Sequence, residues 1–349
     1  MKPVTVPFFI SHQGCPHTCV FCDQRTISGA SGALPSTEEI HARIELWRTT
    51  SGCRPLEVAF FGGTFTALPK EIQAKLLMPL QPLLDNGTLD SVRISTRPDC
   101  IDAGHVTWLS SIGVRTIELG VQSMDDGVLA ASGRGHVAAA SFEAIGCIKS
   151  RGVNVGAQLM PGLPGDTPLS SLHSLEQVIA AGADFLRFYP TVVLEGTELA
   201  RRYVAGEFIP LSLERGISLC TLLLQRAMLA GVPVIRIGLQ AEKGLDAEHV
   251  LAGCWHPALG QLVRSQLYAD LLCRFVPSDK SVTVSCHPAR VSDVVGMKRN
   301  NLRRQAGRGV QMKVIPDATL QQEELKVKTE DSCTIYSIIK DSIYFIHEV

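Results

Sequence analysis

The sequence predicts an α/β fold: a partial (β/α)6 barrel of the TIM type followed by a small C-terminal α/β module. Three observations predict it. Seven short apolar runs are spaced along residues 1–240, helical patterns separate them, and beyond Gly238 the alternation gives way to shorter, more charged stretches. Strand then helix, repeated, requires parallel strands joined by crossover helices, so the candidates are an α/β barrel and a doubly wound sheet. Six or seven such units favour a barrel left partly open. The expected division is a barrel over residues 1–240 and a module over 241–349.

In chain order, "VPFFI" at 6–10 is the first strand. Ser36 and Glu39 form a Ser-x-x-Glu capping box ahead of the helix "EIHARIELWRTT". Strands follow at 56–61, 91–96, 116–121, 154–159, 184–189 and 232–238, and helices at 70–84, 102–111, 137–150, 169–181 and 213–230. Beyond Gly238, "LAGCWHPALGQLVRSQLYADLLCRF" reads as a turn into a helix. The closing "CTIYSIIKDSIYFIHEV" alternates like a strand pair around Lys340 and Asp341.

Composition limits the function classes. With 349 residues, 45% hydrophobic and 19% charged, the chain buries a large core and is not disordered. A formal net charge of -1 makes it neither a polybasic sleeve nor an acidic tail, so a charged partner must meet a local patch. No segment offers about 18 uninterrupted apolar residues, and "MKPVTVPFFISHQG" lacks the form of a signal peptide. A cytoplasmic, non-membrane protein is expected. Of 11 cysteines, Cys53, Cys100, Cys147, Cys220, Cys273 and Cys333 stand alone, which suits reduced buried thiols.

In parallel α/β folds ligands sit where strands end and loops begin. The unusual segments all fall there. "GCPHTCVFCDQ" after the first strand sets thiols at Cys15, Cys19 and Cys22. Three thiolates can hold a four-iron cube with one iron left open, or a zinc site completed by His12 or His17. At the end of the second strand, Gly62 and Gly63 remove side chains where backbone must approach a ligand closely, and Thr64 adds a hydroxyl. Glu118 and Gln158 put polar groups into strands that otherwise read as apolar, and each needs a partner or a ligand. Arg97, Arg134 and His136 lie in loops on the same rim, as contacts to a substrate phosphate or carboxylate or as solvated charges.

The Cys-x3-Cys-x2-Cys spacing, with Phe21 just before the last cysteine, resembles the radical S-adenosylmethionine enzymes. The resemblance implies a [4Fe-4S] cluster on Cys15, Cys19 and Cys22, and S-adenosylmethionine contacted by Phe21, Gly62, Gly63, Thr64, Glu118 and Gln158. It implies reductive cleavage to a 5'-deoxyadenosyl radical, fed by a flavodoxin- or ferredoxin-type electron donor. Within that superfamily, "GGTFTALP", "RISTRPDCID", "IELGVQSMDDGVLAASGRGH" and "LMPGLPGDT" in this order resemble the radical domain of the Elongator catalytic subunit and its bacterial relatives, over residues 6–238. That subunit modifies the wobble uridine of transfer RNA with the help of an acetyltransferase domain, for which no segment after Gly238 is long enough. It spaces its first two cysteines more widely, and Gln158 replaces an acid found in some relatives. Oxygen-independent coproporphyrinogen oxidases share the cysteine spacing. A porphyrin-type substrate, and a sensor that binds S-adenosylmethionine without turnover, are the alternatives.

Between Arg290 and Lys313 the tail carries Arg290, Lys298, Arg299, Arg303, Arg304, Arg308 and Lys313 against the single acid Asp293. A helix ending at a glycine turn, basic residues, a helix and a strand is similar to a KH module, although Gly296-Met297-Lys298-Arg299 lacks the second glycine. RNA contact and a solvated helix face both fit. Cys254 with His256 and Cys286 with His287 form a second metal site only if their loops meet; buried cysteines beside turns are the other reading.

Overall fold

The computed structural model describes residues 3–23, 33–239, 249–277, 281–342, 344 and 346. The strand and helix units run in order β1 (Val4–Phe9), α1 (Thr37–Ser51), β2 (Leu56–Phe61), α2 (Lys70–Leu77), α3 (Gln81–Asp85), β3 (Leu89–Thr96), α4 (Ala103–Ser111) and β4 (Val114–Gln122). They continue through α5 (Asp126–Ala131), α6 (Ala138–Lys149), β5 (Asn154–Leu159), α7 (Pro168–Ala180), β6 (Phe185–Phe188), β7 (Val192–Leu194), α8 (Glu198–Val204), α9 (Leu213–Leu229) and β8 (Val234–Ile237). All seven expected strands join one sheet, ordered β1-β2-β3-β4-β5-β6-β8, with every pair parallel. It is a half-barrel: residues from both edge strands, Pro7 on β1 and Arg236 on β8, line one cavity.

The local signals work as physical chemistry requires. The capping box closes in both directions, Glu39 N–H to Ser36 at 3.2 Å and Ser36 N–H to Glu39 at 2.7 Å. The helix expected over 70–84 is instead α2 and α3 with a 3-10 turn between them, because Pro79 and Pro82 supply no N–H and each fits only a first helical turn. The edge strand β1 carries Pro7, whose outward carbonyl accepts from Arg43 at 3.0 Å while the Arg43 guanidinium lies 4.9 Å from the Phe8 ring centre.

The C-terminal part is β9 (Val250–Gly253), α10 (Leu259–Phe275), β10 (Ser281–Cys286), α11 (Val291–Val295), α12 (Asn300–Ala306), β11 (Gln311–Pro316), β12 (Glu324–Lys328) and β13 (Cys333–Ser337). The four-stranded sheet is ordered β11-β10-β12-β13, and β9 pairs antiparallel with β7. Of the strand pair expected around Lys340 and Asp341, the first half is the strand β13, which pairs with β12, and Asp341 accepts from Ser337 N–H at 2.6 Å in the turn that follows; the second half lies largely outside the described residues. Residues 343, 345 and 347–349 lie outside the described residues, as do 240–248, where the expected division at 240 falls. One buried apolar cluster includes Val6 and Phe60 of the half-barrel and Val284 and Leu325 of the small sheet. Among the described residues no helix is long and apolar enough to cross a membrane.

Candidate active site

The cysteine loop leaves β1 and is held by the loop after β2. His12 N–H donates to the Gly62 carbonyl and Thr64 N–H to the Gln13 carbonyl, both at 2.9 Å, and Cys15 Sγ lies 3.3 Å from Thr64 Oγ1. A Cβ on Gly63 would stand 2.5 Å from the carbonyl oxygens of both Ile10 and Gln13. The glycine pair therefore makes room first for the cysteine loop's own backbone.

The loop's other flank rests on residues 132–136. Val20 N–H donates to the Ser132 carbonyl at 3.1 Å, and Arg134 reaches from its buried position to Cys19 Sγ at 3.3 Å and to the Gly120 carbonyl. Arg97 grips Asp99 with two bonds of 2.9 and 2.8 Å, donates to the Arg134 carbonyl and faces His136 Nδ1 at 3.4 Å. Arg97, Arg134 and His136 are 4%, 5% and 8% exposed. Sequence reading offered solvated charges or substrate contacts; burial contradicts the first, their bonds brace the loop carrying Cys19, and Arg97 and Arg134 also line the cavity described below.

Burial, and then the nearby Arg134, push the His136 imidazole down to about 4 against the weaker upward pull of Asp99. The unfolded chain takes up this proton near pH 6.5 while the folded one stays neutral, so between pH 6.5 and 4 the unfolded state binds more protons and stability is lost as the pH is lowered. We expect this single residue to remove about 3 kcal/mol of unfolding free energy over that window. Urea titrations of wild type and His136→Gln check it: the variant's pH slope should be flatter by that amount.

Between the rim loops and the strand interior is a cavity of about 520 Å³, a size usual for small-molecule sites. Cys15, Cys19, Cys22, Phe21, Gly62, Gly63, Thr64, Glu118 and Gln158 all line it. Phe21 also anchors its loop, packing in the buried cluster that includes Val128, Leu163 and Leu199. Glu118 Oε1 pairs with Arg93 at 2.6 Å and with Arg187 at 3.1 Å, and Arg93 reaches on to Glu57 at 2.8 Å. Gln158 donates to Gln122 at 3.2 Å; Gln122 sits at φ 71° beside a register shift between β4 and β5. Arg93, Arg187, Gln122 and Arg236 were not singled out from the sequence. The available signal was an arginine inside each of the apolar runs "RIST", "FLRFY" and "VIRIG".

The residues present fit a cluster with an open iron. Three thiols with no fourth cysteine share the cavity, one of them against a buried guanidinium. His12 faces Asp23 at 3.7 Å, and among the described residues no three His, Cys, Asp or Glu side chains are gathered to hold a single metal ion. That holds for the tail as well. Cys254 and Cys286 are buried, their thiols pushed up to about 12 and about 11 by that burial, and His256 and His287 accept from the N–H groups of Ala258 and Ala289.

Comparison with known proteins agrees with this geometry. The Radical SAM superfamily matches residues 9–177 and the Radical_SAM C-terminal domain matches 183–269. An uncharacterised protein of Methanocaldococcus jannaschii is 29% identical over 59% of this chain and 66% of its own. A tRNA uridine(34) acetyltransferase of Methanocaldococcus infernus is 26% identical over 75% of this chain and 56% of its own. Elongator complex protein 3 of Mus musculus is 29% identical over 44% of this chain and 32% of its own. The chain thus spans about a third to two thirds of the length of these relatives. Among solved structures, an N-terminally deleted Methanocaldococcus infernus Elp3 superposes with a TM-score of 0.60 at 20% identity, over 94% of this chain and 74% of the other. Escherichia coli coproporphyrinogen III oxidase reaches 0.50 at 20% identity, over 66% and 53%. A half-barrel with three thiols on its rim, matched over residues 9–177 and 183–269 by the two family models and similar in sequence to the Elongator subunit, makes the chain an enzyme of the radical SAM superfamily, with a [4Fe-4S] cluster and S-adenosylmethionine as cofactors.

Proposed function

We propose that this enzyme generates a 5'-deoxyadenosyl radical and removes a hydrogen atom from a nucleoside of transfer RNA. The observation that carries the reading is the convergence of three cysteines, the Gly62–Thr64 turn, Glu118 and Gln158 on one cavity at the carboxyl ends of the strands. When bound, the cluster supplies an electron to the sulfonium of S-adenosylmethionine, and the reductant is a flavodoxin- or ferredoxin-type donor. The chain's own part is to bind, orient and shield. Cys15, Cys19 and Cys22 would hold the cluster, with Arg134 placed against Cys19 Sγ. Gly62, Gly63 and Thr64 fix the rim for the amino-acid end of S-adenosylmethionine, while Phe21, Glu118 and Gln158 line its bed. Eleven cysteines without a disulfide suit a reducing compartment, the cytoplasm.

The choice of transfer RNA rests on the named relatives and on the tail. In this reading residues 1–240 are the radical domain and residues 241–349 a module that contacts the RNA. Between the parallel strands β10 and β11, α11 and α12 are joined by a turn in which Gly296, Lys298 and Arg299 have φ of 78°, 49° and 62°. Lys298, Arg299, Arg303 and Lys313 are exposed. Arg290 and Arg304 face Asp293 and Asp270, and Arg308 caps the carbonyls of Leu272 and Val276.

The test is anaerobic reconstitution with iron and sulfide, then dithionite and S-adenosylmethionine, scoring 5'-deoxyadenosine. Wild type is expected to form it, Cys19→Ala to form none. Transfer RNA should raise the yield, and Lys298→Glu with Arg299→Glu should abolish that rise. A yield indifferent to RNA and raised by a porphyrinogen would move the substrate to the small-molecule class. An intact cluster with no nucleoside under any condition would leave a sensor.

A further inference from the structure

The wall of the cavity formed by the last two strands is electrically unbalanced. Arg187 on β6 and Arg236 on β8 are direct cross-strand neighbours, and both line the cavity. Like charges placed opposite one another in a sheet repel, and such a pair persists only where something offsets it. The acids available are few. Arg187 has Glu118 at 3.1 Å, but the same carboxylate oxygen also holds Arg93, which shares Glu57 in turn. Three arginines thus stand against two glutamates. Arg236 donates to the Gly238 carbonyl at 3.2 Å, and Arg187 Nε is buried without a hydrogen-bond partner. The Tyr189 hydroxyl, 3.2 Å from Arg187 Nη1, faces the same space.

We propose that Arg187, Arg236 and Tyr189 form a subsite for one carboxylate, carried by a small organic acid that enters the cavity in addition to S-adenosylmethionine and the RNA nucleoside. The excess of one positive charge matches a monoanion. Two adjacent guanidinium forks and a hydroxyl match the two oxygens of a carboxylate. The subsite is set on β6 and β8, with the Arg187 guanidinium 5.2 Å from the Phe61 ring centre and so beside the Gly62–Thr64 turn; titration in the presence of saturating S-adenosylmethionine separates it from the cofactor contacts. The proposal rests on the radical-enzyme reading for its role, though not for its detection.

Calorimetric titration of acetate, and separately of inorganic phosphate, into the cluster-reconstituted protein saturated with S-adenosylmethionine tests it. Acetate should bind saturably, Arg236→Gln should weaken it at least tenfold, and Arg236→Lys should retain most of the affinity. Absence of saturable acetate binding to the wild type overturns the proposal. So does binding that Arg236→Gln leaves unchanged, or a preference for phosphate. The wild-type outcomes decide even if Arg236→Gln does not fold. Because the readout is heat and not turnover, acetate binding by a protein that forms no 5'-deoxyadenosine would keep the subsite and remove the reaction; the reverse pattern would do the opposite.

Discussion

Gly63→Ala is expected to give a protein that cannot load its cluster. The added methyl group would stand 2.5 Å from two backbone carbonyl oxygens, those of Ile10 and Gln13, and neither belongs to a flexible side chain that can turn away. Relief must come from moving the segment that begins the cysteine loop. That movement breaks the bonds from His12 N–H to Gly62 and from Thr64 N–H to Gln13, and separates Cys15 from Thr64. Overpacking of this kind costs about 1–3 kcal/mol, so the fold should survive while the thiols lose their spacing. Iron and sulfide after reconstitution should drop below a tenth of the wild-type content, with 5'-deoxyadenosine undetectable. Wild-type iron content in Gly63→Ala would mean that the loop is held by something other than this contact.

Glu118→Leu is expected to cause the largest loss of stability of any single change in the cavity. One carboxylate oxygen serves two arginines, and the Glu118 side chain is 6% exposed. Removing one partner of a buried ionic network leaves uncompensated charge, which costs about 3–5 kcal/mol. Arg187 and Arg236 would then face each other with less to offset them. Urea unfolding of the cluster-free protein should show the loss, and Glu118→Gln, which keeps an acceptor, should lose about half as much. If Glu118→Leu unfolds at the wild-type midpoint, the carboxylate does not hold these arginines together and serves the cofactor alone.

The half-barrel was legible because its strands are short, mostly apolar runs, several of them closed by glycine or proline, a pattern that parallel pairing between covering helices imposes. The small sheet was less so. β12, "ELKVK", alternates two apolar residues with charged ones over too few positions to stand out, and its pairing with β13 is a tertiary fact. The cysteines and glycines of the site were readable because spacing and residue type alone carry their chemistry. The roles of Arg97, Arg134 and His136 were not, since a polar residue in a loop looks the same whether water or Asp99 receives it. The prolines at 79 and 82 were in plain view and marked the break in the helix expected over 70–84.

An open half-barrel has a cost that a closed one avoids, for β1 leaves one row of backbone groups unpaired. Pro7 deletes a donor from that row, and Arg43 occupies the acceptor beside it while covering Phe8. A second molecule seeking to extend the sheet by adding its own strand finds neither group free. That edge is thereby closed to the protein's own copies, so solubility at high concentration depends on Pro7 and Arg43.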